Sequence, residues 1–122
     1  MSLLTEANFG NSLPIDGYGP GFFRVAGEVH SGNLWLMADR KGVWGGFDDT
    51  ASLLALAGQI DLLFIGTGAE LSHLPHEMLD TLEERGIMCE AMATPTAARS
   101  YNVLLSEGRR IGCALLAMPD AG

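Results

Sequence analysis

Four consecutive residues, Arg99-Ser100-Tyr101-Asn102, place a guanidinium, a hydroxyl, a phenol and an amide within one helical turn. Arg99 and Asn102 are three apart and share a helix face. Such a set can hold an anion, because the planar guanidinium fork matches a carboxylate. It can equally be structural, with Tyr101 packed inward and Arg99 and Asn102 bonded to loop carbonyls. The second polar feature, Gly66-Thr67-Gly68, follows the apolar run Asp61–Ile65. Two glycines after a strand suit close backbone approach to a ligand, and the carboxyl edge of an α/β sheet is where ligands sit. The Thr67 N–H would be the donor there. The loop fails both phosphate fingerprints. Ala69-Glu70 stands where a Walker loop needs lysine, and Leu71 where GxGxxG needs glycine. A structural turn and a binding loop are both open readings.

The remaining reactive side chains form no set. His73, His76 and Glu77 resemble metal spacing loosely, but catalytic zinc helices carry the glutamate inside HExxH, and Pro75 interrupts the pair. Asp48 and Asp49 precede a helical pattern that Asp49 or Thr50 can cap, and the two aspartates read as capping and helix-dipole residues rather than a cation pair. Cys89 and Cys113 lack CxxC spacing and read as small buried apolar residues, in keeping with a reducing compartment. No catalytic residue, metal or cofactor is called for, although a triad assembled over long range is not visible to local spacing.

With 122 residues the chain is long enough for one self-supporting core. Its formal net charge of -8 and single lysine, Lys41, oppose nucleic-acid binding, which needs clustered cations to displace counterions. No apolar run approaches the ~20 residues that span a bilayer, and the start of the chain has neither a basic n-region nor an Arg-rich transit pattern. The expectation is a soluble, cytoplasmic protein.

The elements that must position these residues fall into two halves. Residues 1–12 read as a flexible tail, 13–118 as a single α/β domain and 119–122 as a second tail. The first half is β-rich. Leu13–Asp16 leads into a turn over Gly17–Gly21, followed by strands at Phe22–Val25, Glu28–His30, Leu34–Met37 and Gly42–Gly45, which form an antiparallel meander. At Asp48–Thr50 the period becomes helical, with Leu53, Leu54, Leu56 and Ala57 inward and Gly58 as C-cap. Asp61–Ile65 is apolar on both faces, as a buried central strand would be. A helix follows over Leu74–Arg85 with Pro75 in its first turn. Next come a strand over Ile87–Met92, a helix capped by Thr94 with Pro95 at its first position, and a strand over Ile111–Ala117. That β-α-β-α-β order predicts a three-layer α/β fold, with a mixed sheet, helices packed on it and the N-terminal meander at one edge or face.

Three stretches together resemble a known family: Tyr18-Gly-Pro-Gly-Phe-Phe-Arg24, Leu62-Leu-Phe-Ile-Gly-Thr-Gly68, and Arg99-Ser-Tyr-Asn-Val-Leu-Leu105 with Glu107-Gly-Arg-Arg110. It is a family of small α/β domains of unknown function that includes a mitochondrial assembly factor for respiratory complex I. Ser100 stands where many members have threonine, which keeps the hydroxyl. The resemblance implies a three-layer fold around a mixed sheet, no established activity or cofactor, a protein-binding role for the mitochondrial relative, and a bacterial-type member here.

The leading reading is a non-enzymatic protein-interaction or assembly module whose docking face includes Gly66, Thr67, Gly68, Arg99, Ser100, Tyr101 and Asn102. The alternative is an anion- or carboxylate-binding domain, or an unrecognised enzyme, using a cleft between the glycine loop and Arg99. A homodimer formed through Trp35, Trp44 and Phe47 is the third reading, with core packing as its rival.

Overall fold

A computed structural model describes residues 12–119. The tails expected at 1–12 and 119–122 lie outside the described residues, Ser12 and Pro119 excepted. Eight strands and three helices are described: β1 Ile15–Gly19, β2 Phe22–Val25, β3 Glu28–Ser31, β4 Leu34–Met37, β5 Lys41–Val43, α1 Thr50–Leu54, β6 Leu62–Gly66, α2 His76–Glu84, β7 Met88–Met92, α3 Thr94–Ser106 and β8 Ile111–Leu115.

The strands form two sheets. One is the antiparallel ladder β1-β2-β3, and the other has the order β5-β4-β8-β6-β7. Within the larger sheet β6 pairs in parallel with both β7 and β8, while β4 pairs antiparallel with β8 and β5. The α/β class, the mixed sheet and the antiparallel meander packed beside it are as the sequence predicts.

Alternation along each strand sorts the core into two layers. Leu63 and Ile65 of β6, Met37 of β4 and Ala114 of β8 face Leu53, Met78 and Leu82 of α1 and α2. Leu34 and Leu36 of β4, Phe64 of β6 and Cys113 and Leu115 of β8 face Ala97, Ala98, Tyr101 and Leu105 of α3, together with Ile15, Phe23 and Val25 of the small sheet. Chain direction explains the split. The β6-α2-β7 and β7-α3-β8 crossovers step in opposite directions along the sheet, and right-handed crossovers then put their helices on opposite faces. β8 is buried at every position. Gly112 lets this happen, since a Cβ there would sit 2.8 Å from the Leu36 carbonyl oxygen.

The structure corrects several boundaries. The middle strand is β8, with β6 beside it. Residues 17–19 are strand rather than turn, and the reversal is confined to Pro20 and Gly21. The meander divides after Ser31, so β4 and β5 join the large sheet. The α1 C-cap is Ala55, not Gly58. α2 begins at His76, with Pro75 as its N-cap. Thr94 lies inside α3 and makes no capping bond; Ala93 holds that position. Asp49 caps α1, accepting the Ser52 N–H at 3.1 Å.

Candidate functional site

The glycine loop is sealed into the fold. Gly66, Thr67 and Gly68 are all buried. A Cβ on Gly66 would lie 2.8 Å from the Thr94 hydroxyl and 2.9 Å from its Cα, so the glycine serves the close approach of α3. Gly68 and Thr94 then clasp each other. The Thr94 N–H donates to the Gly68 carbonyl at 2.8 Å, and the Gly68 N–H donates to Thr94 Oγ1 at 2.9 Å. The Thr94 hydroxyl donates onward to the Leu116 carbonyl at 2.8 Å. The Thr67 N–H, expected to meet a ligand, donates to the Met92 carbonyl at 2.8 Å. Its hydroxyl donates to the Glu70 carbonyl at 2.6 Å and accepts the Ser72 N–H at 3.0 Å.

The polar turn of α3 divides by face. Tyr101 is wholly buried, and its hydroxyl is shared between the Leu13 and Met37 carbonyls at 3.0 and 3.1 Å. Burial pushes its pKa up. Asn102 pairs with the backbone of Ile15 in both directions. It accepts the Ile15 N–H at 2.9 Å and donates to the Ile15 carbonyl at 2.8 Å, which pins β1 to α3. Arg99 is exposed and Ser100 half-buried. Among the described residues the Arg99 side chain makes no hydrogen bond or ion pair. Arg99 and Ser100 line a groove that none of the three loop residues reaches. Among the described residues the loop and the arginine share no groove.

That groove lies along β7, a feature not visible in the sequence. It has a volume of about 560 Å³ and runs between α3 and the strand, with Glu90, Met92, Arg99, Ser100, Val103 and Leu104 in its walls. On the opposite face of β7 is a second groove of about 510 Å³, walled by Leu71, His73, Leu74, Leu79, Cys89 and Ala91. Among the described strands β7 lies at one edge of the large sheet. Met88 is 68% exposed, Leu71 65% and Val103 51%, so the described large apolar side chains left open include one on the strand and one beside each groove.

The outer edge of β7 carries backbone groups of known identity. Met88 N–H donates to the Asp61 carbonyl, and the Met92 carbonyl accepts from Thr67. In a parallel ladder the inward-pointing residues alternate, so Met88, Glu90 and Met92 bond to β6. Cys89 and Ala91 consequently aim both N–H and C=O outward. The other edge, β5, is three residues long and begins with Lys41, as protected edges do.

Reactive groups near the edge are quiet. The Cys89 thiol is pushed up to about 12 by burial and by the nearby Glu83 carboxylate, so it stays protonated at neutral pH. Among the described residues no group of three or more His, Cys, Asp or Glu is placed to hold a metal. Trp44 is buried and stacks edge-on with Phe47 at 6.1 Å, and Trp35 packs against the same core. Of the three aromatics read as a homodimer surface, Trp44 is thus core, while Trp35 and Phe47 are half-buried against it.

A model of a family described as "Protein of unknown function (DUF498/DUF598)" matches residues 15–116. An uncharacterized protein of Rhodobacter capsulatus is 60% identical over 116 residues, 95% of this chain and 94% of that one. The mouse protein NADH dehydrogenase [ubiquinone] 1 alpha subcomplex assembly factor 3 is a more distant relative, 28% identical over 123 residues. The match covers 95% of this chain but 66% of the mouse protein. Among solved structures, a Bartonella henselae protein described as an outer membrane protein superposes with a TM-score of 0.80 at 36% identity, over 88% of this chain and 97% of that one. A Mth938-like domain from Bordetella pertussis superposes with a TM-score of 0.77 at 28% identity, over 98% and 94%. Among the described residues no helix is long and apolar enough to cross a membrane.

Proposed function

Because this chain belongs to the protein family of unknown function DUF498/DUF598, we propose that it is a non-enzymatic interaction module, and that its docking face is the outer edge of β7. The observation that carries this reading is the edge itself: two residues with outward backbone donors and acceptors, between two grooves with apolar walls. An extended segment added to a sheet edge gains main-chain hydrogen bonds, while its alternate side chains fill grooves on the two faces. The assembly role named for the mouse relative agrees with a protein-binding surface.

Of the expected site residues, Arg99 and Ser100 belong to this face. Gly66, Thr67, Gly68, Tyr101 and Asn102 act as scaffold, since their polar groups are spent on the chain's own backbone. This weakens the alternative of an anion site shared by the loop and Arg99.

The direct test is recovery of partners at native expression with the wild-type chain and with Ala91→Pro. Proline at 91 removes an outward N–H and leaves the bonds to β6 untouched, the one arrangement in which a strand tolerates it. Loss of specific partners with retained thermal stability is expected; equal recovery contradicts the proposal. A cytoplasmic location belongs to the same reading. Retention of the native protein in washed membranes would contradict it, and one structural relative is described as an outer membrane protein.

A further inference from the structure

The β7 edge distinguishes between occupants. Suppose a second copy of the chain paired with it. The antiparallel two-fold register that uses all the outward groups sets Cys89 opposite the partner's Ala91, and Glu90 opposite the partner's Glu90. Glu90 points its backbone inward, so it would occupy a non-hydrogen-bonded position. There the Cα atoms approach to about 4.5 Å and facing side chains are closest. Like charges directly opposite each other oppose pairing. Among the described residues Glu90 makes no ion pair; the cation that shares its groove, Arg99, is not bonded to it. A two-fold axis moved one residue in either direction brings in Ile87, whose N–H is already bonded to Leu82, or Ala93, where α3 begins.

The flanks of Glu90 favour a different partner. Met88 and Val103 are exposed near it and would pack on the aliphatic stem of a lysine or arginine. On the other face Cys89 and Ala91 are small, and the groove beside them is walled by Leu71, Leu74 and Leu79. Large apolar side chains of an added strand would fill it. The chain's net charge of -8 works in the same direction.

We propose that the β7 edge takes an extended segment of a different protein, with Lys or Arg opposite Glu90 and bulky apolar residues opposite Cys89 and Ala91, and that Glu90 bars a second copy of this chain. The inference rests on the edge-docking reading above.

The test uses the chain itself as the probe. Wild type, Glu90→Lys and their equimolar mixture are compared by sedimentation and by amide exchange. Each alone sediments as a monomer. The mixture, which sets the glutamate against the substituted lysine, forms a one-to-one dimer at least about tenfold tighter than either self-association. In that dimer the Cys89 and Ala91 amides slow, and Ala91→Pro in both partners abolishes it. Glu90→Val, which removes the charge, self-associates through the same two amides. A wild-type dimer protected at Cys89 and Ala91 overturns the proposal, as does protection of those amides in the dilute monomer, which would mean that the chain covers its own edge. If Glu90→Val pairs but the mixture shows no preference, the charge rule fails and edge docking stands. If no combination pairs, both fail.

Discussion

Thr94 Oγ1 accepts the Gly68 N–H at 2.9 Å, and this one bond ties the end of β6 to the start of α3. The same hydroxyl reaches the Leu116 carbonyl just past β8. One side chain therefore holds together the segments that leave two neighbouring strands and enter a helix. This is why the glycine loop is buried, with the Thr67 and Gly68 N–H groups bonded within the chain.

Replacing Thr94 with valine keeps the shape and strands the buried Gly68 N–H and the Leu116 carbonyl. A loss of about 2–4 kcal/mol in urea unfolding is expected, from the desolvation cost of leaving such groups unpaired. Thr94→Ser, which keeps the hydroxyl, should lose under about half as much. Gly66→Ala should also destabilise by roughly 1–3 kcal/mol, since its Cβ would crowd the Leu115 side chain, the Thr94 hydroxyl and the Thr94 Cα, and the last belongs to backbone that must shift. A Thr94→Val chain as stable as wild type would contradict the clasp.

Asn102 ties the small sheet to α3, the helix packed on the large sheet. Asn102→Ala removes both bonds to Ile15 and should cost about 1–3 kcal/mol. Exchange of amides in β1 and β2 should accelerate more than exchange in β6 and β8, because the small sheet is released while the large sheet keeps its ladder. Uniform acceleration across both sheets would show that Asn102 does not act locally.

Asp49 gives an acid-side signature. Hydrogen bonds from Ser52 and from the Gly45 and Ser52 backbone hold its carboxylate pKa below the ordinary 3.8, against the opposing effect of burial. A depressed folded value means the stabilisation is present above the unfolded pKa and is lost as pH falls through the folded one. Asp49→Ala should cost about 1 kcal/mol at neutral pH as a lost helix cap. Its difference from wild type should shrink below pH 3.8. A difference that persists unchanged in acid would contradict this.

The two cysteines give an alkaline signature of the opposite sign. Burial raises both thiols from 9.0, Cys89 to about 12 and Cys113 well above its ordinary value. The unfolded chain loses those protons first, so stability should fall as pH rises above 9.0. Cys89→Ala should flatten part of that decline. Native Cys89 should also alkylate roughly a thousandfold more slowly at neutral pH than a free thiol. Rapid labelling of the folded protein at pH 7 would contradict this.

The layers were legible where the residue pattern is local. The apolar runs at Asp61–Ile65 and Ile111–Ala117 read as strands, the second ending at Leu115, and of the two caps open at the first helix, Asp49 or Thr50, the structure uses Asp49. Thr94 was not legible as a clasp, because a threonine before proline at a helix start is the sequence of an ordinary cap. Its actual partners, Gly68 and Leu116, lie 26 and 22 residues away. Tyr101 and Asn102 could be read as functional or structural until their partners near Leu13 and Ile15 were in place. Gly17 and Gly19 suggest a turn, yet both are paired strand residues in register with β2. The β7 edge is a property of strand order, which no spacing encodes. The only local hint is that Leu71, Met88 and Val103 are apolar yet fall outside the helical faces. Family likeness supplied the fold and the prospect of a protein partner, but not the docking face.

The measurement closest to the central claim is amide hydrogen exchange at Cys89 and Ala91, in the pure chain and in the complex recovered at native expression. In the pure chain those two amides should exchange rapidly, while Met88, bonded to Asp61, is protected. In the complex Cys89 and Ala91 should slow by about a hundredfold or more, as newly paired strand amides do. A complex in which these two amides exchange as they do alone, with protection appearing elsewhere, would contradict docking at this edge.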